Sequence, residues 1–319
     1  MESIGARRET ALRETLELLY ARAERSSSPD PIQLVRRYPN PADREVAGWI
    51  ASAFAYGRVR QILASVGGLL DSLGPHPARA VSARTFEARD VDFFRHRFHG
   101  PADAASLLSL IGETIRREGS VGRFFERRFA PDRTVFGMLN RVSDEVLSWR
   151  PPSPTLQFLL PRPGDGSACK RWNLYLRWMV RSDAMDFGLW DGIPPSALIV
   201  PTDTHIHRVS RRLGLTRRKS ADWKTAEEIT ARLARLDPRD PVKYDFALCQ
   251  LGVLEICRTK PRLSDCPVCP ARRVCPTGRR RVPEAAFPGT ERFRRSEPLP
   301  SVPTGAGAAS PARRSAAAR

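Results

Sequence analysis

Four cysteines stand within nineteen residues in the last third of the chain: Cys257, Cys266, Cys269 and Cys275, separated by eight, two and five residues. Thiolates this close can converge on one metal centre, because each loop is long enough to turn back and short enough to close at little entropic cost. The spacing then bears on the metal. A structural zinc site usually draws one Cys-x-x-Cys or Cys-x-x-His knuckle from each half, and Cys266 with Cys269 is the single such pair here. Unequal flanking gaps and an all-thiolate set point first to a 4Fe–4S cluster, with zinc as the less favoured occupant and disulfides or free thiols behind both.

Two further stretches carry chemistry. In Pro201-Thr202-Asp203-Thr204-His205-Ile206-His207-Arg208-Val209-Ser210-Arg211-Arg212-Leu213-Gly214, Asp203 or Thr204 serves as an N-cap and Ile206, Val209 and Leu213 form a buried stripe. Arg208, Arg211 and Arg212 are expected to face outward, and Gly214 ends the helix. Taken alone, Asp203 reads as a structural cap. The second stretch, Pro163-Gly164-Asp165-Gly166-Ser167-Ala168-Cys169-Lys170-Arg171, brackets one residue with glycines before a helix. Such a turn can offer backbone N–H groups to a phosphate, aided by the helix dipole, and is equally compatible with a plain turn. His205 and His207, two apart on a helix, diverge too much to make a metal pair with Asp203, and His96 with His99 fare no better. Trp172 and Trp190 are candidate base-stacking surfaces, whereas Trp178, among Leu174, Leu176 and Met179, reads as core.

The elements that must position these residues are helical. Leu12, Leu16 and Leu19 mark one apolar face; Val46, Ile50, Ala53 and Phe54, then Ile62, Val66, Leu69 and Leu70, mark two more. Helices are predicted near 102–118, 133–148, 170–182, 203–213, 222–236 and 240–257, with proline- and glycine-rich breaks between them. Strand-like alternation is nearly absent, so the fold class is all-α. From about residue 284 to 319 large apolar residues almost vanish and a disordered basic tail is expected.

Charge supports a partner class without deciding it, because an arginine excess over only five lysines also fits a coding bias. A net charge of +18 and a pI near 10.8 argue for a polyanion, nucleic acid first. Residues 279–319 hold nine arginines against Glu284, Glu291 and Glu297, which leaves +12 on the remainder. No apolar run approaches the roughly twenty residues of a membrane helix, and the first residues read as an amphipathic helix and not a signal peptide. A cytoplasmic, nucleoid-associated monomer in a reducing compartment is expected.

The Pro-Thr-Asp-Thr-His-Ile segment followed some fifty residues later by the four-cysteine loop resembles the helix-hairpin-helix DNA glycosylase superfamily, which includes endonuclease III and the adenine-mismatch glycosylases. Within it the chain, including Ala55-Tyr56-Gly57-Arg58-Val59, is most similar to a bacterial family known only as a domain of unknown function. The resemblance implies a two-lobed fold over residues 1–283, with a middle lobe at about 33–200. A second lobe would be built from 1–32 and 201–276, with the cluster loop at 257–275. It implies Asp203 as catalytic carboxylate and Cys257, Cys266, Cys269 and Cys275 as cluster ligands. DNA contacts would fall to Gly164, Gly166, Ser167, Arg171 and Arg208, and a wedge filling the gap left by a flipped base to Tyr56 or Arg58. With the glycines aligned, Ala168 takes the place of the family lysine and Lys170 follows two residues later. A bifunctional glycosylase/AP lyase using Lys170 and a monofunctional glycosylase using Asp203 alone both follow from that arrangement. The alternative from another class is a non-catalytic DNA- or RNA-binding protein with a structural or redox-sensing cluster.

Overall fold

Helix starts in this chain are written in short polar side chains. Asn40, Ser120, Thr134, Ser153, Asp203 and Asp222 each stand in extended conformation and accept a first-turn N–H with their side chain, which satisfies donors that a helix cannot satisfy internally. The computed structural model describes residues 4–24, 29–149, 153–253, 257–258, 266, 269–276 and 278. Among them run α1 (Ile4–Glu24), α2 (Ile32–Val35), α3 (Pro41–Ala53), α4 (Val59–Ser72), α5 (Pro77–Ala83), α6 (Pro101–Glu118) and α7 (Val121–Phe129). They are followed by α8 (Val135–Ser148), α9 (Pro154–Leu159), α10 (Lys170–Val180), α11 (Thr204–Leu213), α12 (Trp223–Ala234) and α13 (Asp245–Val253). No β-strand occurs among the described residues, only three isolated bridges. The all-α expectation is met. No helix is long and apolar enough to cross a membrane among those residues.

Helix α3 is central, packing on α2, α5 and α10. Its Trp49 is wholly buried and meets Phe125 of α7 edge-on at 5.6 Å and Trp172 of α10 at 5.3 Å. Phe125 stacks in turn on Trp190 at 5.1 Å. Trp172, Trp178 and Trp190 are all buried, so the two offered as stacking surfaces are core: aromatic area this large is worth more inside, and truncating one such ring to alanine costs about 3–5 kcal/mol. Where α5 crosses α6, Gly112 lets the backbones touch, because a Cβ there would lie 2.0 Å from the Val81 carbonyl oxygen.

A buried carboxylate joins distant parts of this core. Glu45 of α3 accepts from Val121 N at 3.2 Å and Gly122 N at 3.1 Å, at the start of α7, and from Trp190 Nε1 at 2.7 Å. Burial pushes its pKa up against those three donors. A second polar knot lies under α10. Arg177 pairs with Asp245 at 2.5 Å and Asp186 at 3.3 Å, while Arg181 pairs with Asp240 and Asp183, each at 2.9 Å, and with Asp186. The stretch from Asp183 to Trp190, a loop in sequence terms, is thereby folded back onto α10, with Phe187, Leu189 and Trp190 donating N–H groups to its last carbonyls.

At the other end, α13 packs on both α11 and α1. The helix expected from residue 240 starts at Asp245, because residues 241–244 form turns that follow the Arg181–Asp240 pair. The tail from 284 and the boundary at 283 lie outside the described residues.

Candidate active site

Three segments distant in sequence converge at the start of α10. Ser167, Ala168 and Cys169 enter from the glycine turn, the α3–α4 connection and the start of α4 bring Ala55, Tyr56, Gly57 and Val59, and the start of α11 brings Pro201 to Ile206. With Asp245 to Gln250 of α13 below, they wall a cleft of about 680 Å³. Lys170, the first residue of α10, stands in it 30% exposed and Asp203, 24% exposed, faces it, with Nζ and Oδ2 3.8 Å apart.

Each member of the pair is held by a different element. Asp203 caps α11: its Oδ1 accepts from His205 N at 2.8 Å and Ile206 N at 2.9 Å, which leaves Oδ2 turned to the cleft. Lys170 Nζ donates to the Ala55 carbonyl at 2.9 Å, across from α3's end. At 3.8 Å the amine and carboxylate are close enough to attract and too far apart to share a tight hydrogen bond. Both therefore keep capacity for a third group between them.

The floor was not foreseen from the sequence. Asp245 is buried, pushed up to about 6 by desolvation and opposed by Arg177. Its Oδ1, like Gln250 Oε1, has no hydrogen-bond partner among the described residues. The only hint lay in polar residues inside an otherwise apolar run. Cys249 is raised by burial, and Cys169 is pushed up to about 12 for the same reason, which disfavours the thiolate at both.

The remaining candidates divide. Ser167 and Arg171 line the cleft. Ser167 Oγ accepts from Cys169 N at 3.1 Å. The Arg171 guanidinium lies 4.0 Å over the Phe158 ring and bonds to the Phe158 carbonyl, and burial lowers it to about 10. Tyr56 also lines the cleft, but its hydroxyl is anchored to His99 Nδ1 and the His96 carbonyl, and burial pushes it up to about 12. Arg58 is exposed at the N-cap of α4 and is not part of the lining. In the glycine turn, Gly166 adopts φ +82, where a side chain would be strained. Its N–H donates to the Pro163 carbonyl, and Gly164 N donates to Asn140 Oδ1 at 3.0 Å. Both N–H groups are thus engaged inside the protein, because the turn is stitched to α8.

Arg208 departs from the outward orientation expected of it. Its guanidinium turns to Cys257 O at 2.8 Å and Gly252 O at 3.2 Å, and Arg212 reaches Cys257 Sγ at 2.9 Å. Arg208 thus donates to carbonyls at and beyond the end of α13, and Arg212 to a sulfur. Of the three, Arg211 is the exposed one.

That same contact locates the cysteines. Cys257, Cys269 and Cys275 pack against the apolar core, Gly278 N points at Cys275 Sγ at 3.3 Å, and the Cys269 thiol, raised to about 12 by burial, feels the other three. Among the described residues no three Cys, His, Asp or Glu side chains are placed to hold a single metal ion. An all-sulfur set with a guanidinium and a backbone N–H directed at the sulfurs does match, in donor chemistry, what a thiolate-bound cluster needs.

Residues 30–254 match the sequence model of a family described as a protein of unknown function, DUF2400. The chain belongs to that family. No curated protein matches it. The DUF2400 region contains Lys170, Asp203 and Asp245 and stops three residues before Cys257, so the cleft lies within the shared part and the four cysteines lie beyond it.

Proposed function

We propose that this DUF2400 protein is a base-excision-repair DNA N-glycosylase of the helix-hairpin-helix type, with DNA seated along a cleft between two lobes. One observation carries the reading: an amine and a carboxylate 3.8 Å apart, each fixed by a helix start, in a 680 Å³ cleft of a chain with net charge +18. That volume suits a flipped nucleotide, within the usual range of small-ligand sites.

As the base departs, positive charge grows on the deoxyribose, and the free Asp203 Oδ2 is the group that stabilises it. Lys170 Nζ, once it has given up a proton, bonds to C1′ as the C1′–N bond breaks. The base leaves with the electron pair and takes up the proton that Nζ sheds on bonding; the Nζ lone pair then breaks the C1′–O4′ bond, O4′ takes up a proton from solvent, and the protonated imine so formed opens the way to strand cleavage. Held by Ala55 O and Asp203, the amine is oriented before substrate arrives. Ser167 and Arg171 provide the polar rim for the flanking phosphates. Cys257, Cys266, Cys269 and Cys275 would hold a 4Fe–4S cluster, which supplies a rigid tether for the segment beyond α13.

Turnover by anaerobically handled protein on duplexes carrying single lesions or mismatches tests this. Breaks before hot alkali, and a borohydride-trapped adduct lost in Lys170→Gln, are the expected result; silence across the panel with binding intact overturns it. The second reading, a non-catalytic nucleic-acid binder, is favoured by one observation, the capping duty of Asp203. It requires Asp203→Asn to leave every property unchanged.

A further inference from the structure

At the rim of the cleft the chain turns on two residues. His96 and His99 exchange both backbone hydrogen bonds, at 3.0 and 2.9 Å, which leaves Arg97 and Phe98 as the tip. Arg97 sits at φ +56, a left-handed conformation that a non-glycine residue keeps only when its surroundings impose it. The two histidine rings impose it. His96 bonds Ser65 Oγ at 2.7 Å and Tyr56 O at 3.1 Å, and His99 bonds Thr155 O at 3.0 Å and the Tyr56 hydroxyl. Both histidines are buried, and burial lowers the pKa of His96, so its ring works as a neutral bracket.

What this bracket presents is a bare ring. Phe98 is 56% exposed and meets Phe158, 40% exposed, edge-on at 5.0 Å. Arg171 covers one side of Phe158. Phe158 and Arg171 also line the cleft, so the apolar surface continues its wall outward. Strain and exposed phenyl area are both costs in the isolated protein, and the partner that offsets them must combine flat π faces with negative charge, given the arginine beside the rings and the +18 of the chain. A nucleic-acid strand combines the two; an apolar helix or a net-neutral membrane does not.

We propose that Phe98 and Phe158 form a stacking platform for an unpaired nucleobase beside the nucleotide held in the cleft. The platform rests on the reading of the cleft as a nucleic-acid site and adds to it a preference for unstacked bases over continuous duplex. Tyr56, anchored below, positions the turn and does not itself insert.

The full-length protein titrated into a single-stranded oligonucleotide containing 2-aminopurine, at two salt concentrations, tests this. Phe98→Ala and Phe158→Ala each weaken binding about 10-fold and diminish the fluorescence change on binding, while the salt dependence stays that of the wild type because no phosphate contact is lost. Phe98→Tyr restores both. The rings are exposed, so thermal unfolding of the variants matches the wild type. A wild type that binds neither this strand nor the duplex of the same sequence in a salt-dependent way overturns the cleft reading and this one together, and one that binds only the duplex overturns the platform. Wild-type binding with affinity and fluorescence unchanged in both alanine variants overturns the platform alone.

Discussion

Asp203 and Asp222 begin consecutive helices, α11 and α12, and do the same local work with opposite remainders. Asp222 Oδ1 accepts from Thr225 N at 2.9 Å, and its Oδ2 is consumed by Arg218 and Ser220, both at 2.7 Å, so its pKa is held far below the carboxylate range. Asp203 gives one oxygen to two N–H groups and leaves the other facing an amine 3.8 Å away on another element. A carboxylate whose every partner is local belongs to its helix; one whose second oxygen meets a distant residue in an open cleft is available to a third molecule. Helix α10 repeats the lesson. Lys170 at its start is loosely paired and half-open, whereas Arg177 and Arg181 further along are buried among Asp183, Asp186, Asp240 and Asp245.

The largest effect expected from this contrast is on folding. Arg177→Met strips a buried cation from Asp186 and Asp245 and should lower stability by about 3–5 kcal/mol in urea unfolding, whereas Lys170→Gln should leave it within about 0.5 kcal/mol. Equal losses would erase the distinction between the two ends of α10. Next comes turnover. Asparagine caps helices as well as aspartate does, so Asp203→Asn should keep the melting temperature while base release falls about 10²–10³-fold, the size seen when one transition-state electrostatic partner is removed. Third, Asp222→Ala should cost about 1 kcal/mol of stability by loss of its cap, with turnover per folded molecule unchanged; a drop in turnover would show that the two aspartates are not opposites.

The smallest effect is a pH slope. Asp245 titrates near 6 in the folded chain against 3.8 as its ordinary value, so between about pH 4 and 6 the folded state binds the extra proton. Stability contributed by this group is therefore greatest below about pH 4 and is lost as pH rises through about 6. Asp245→Asn should flatten that part of the profile, read as urea midpoints at pH 4, 5 and 6.5.

How far the sequence carried depended on range. Helices α6, α8, α10, α11 and α12 were legible because their apolar period and caps are local properties, and Gly214 takes the left-handed stop its position called for. Asp203, Lys170, Ser167 and Arg171 were legible as candidates through a resemblance, and they do line one cleft. The short α5, α7 and α9 escaped because fewer than three turns leave little period to read. The outward orientation expected of Arg208 failed because a helical wheel shows which flank a residue occupies and not what will pack there. Asp245, the Tyr56–His99 contact and the Phe98–Phe158 pair join residues far apart in the chain, and no spacing rule anticipates them.

The buried carboxylate of Glu45 sets an order of events for the growing chain. Its partners lie 76, 77 and 145 residues downstream, so when α3 first leaves the ribosome nothing is there to receive the charge. Closing the core around Glu45 at that stage would trap an unpaired anion. Closure of the core around an ionised Glu45 is then expected only once Gly122, and finally Trp190, have been synthesised.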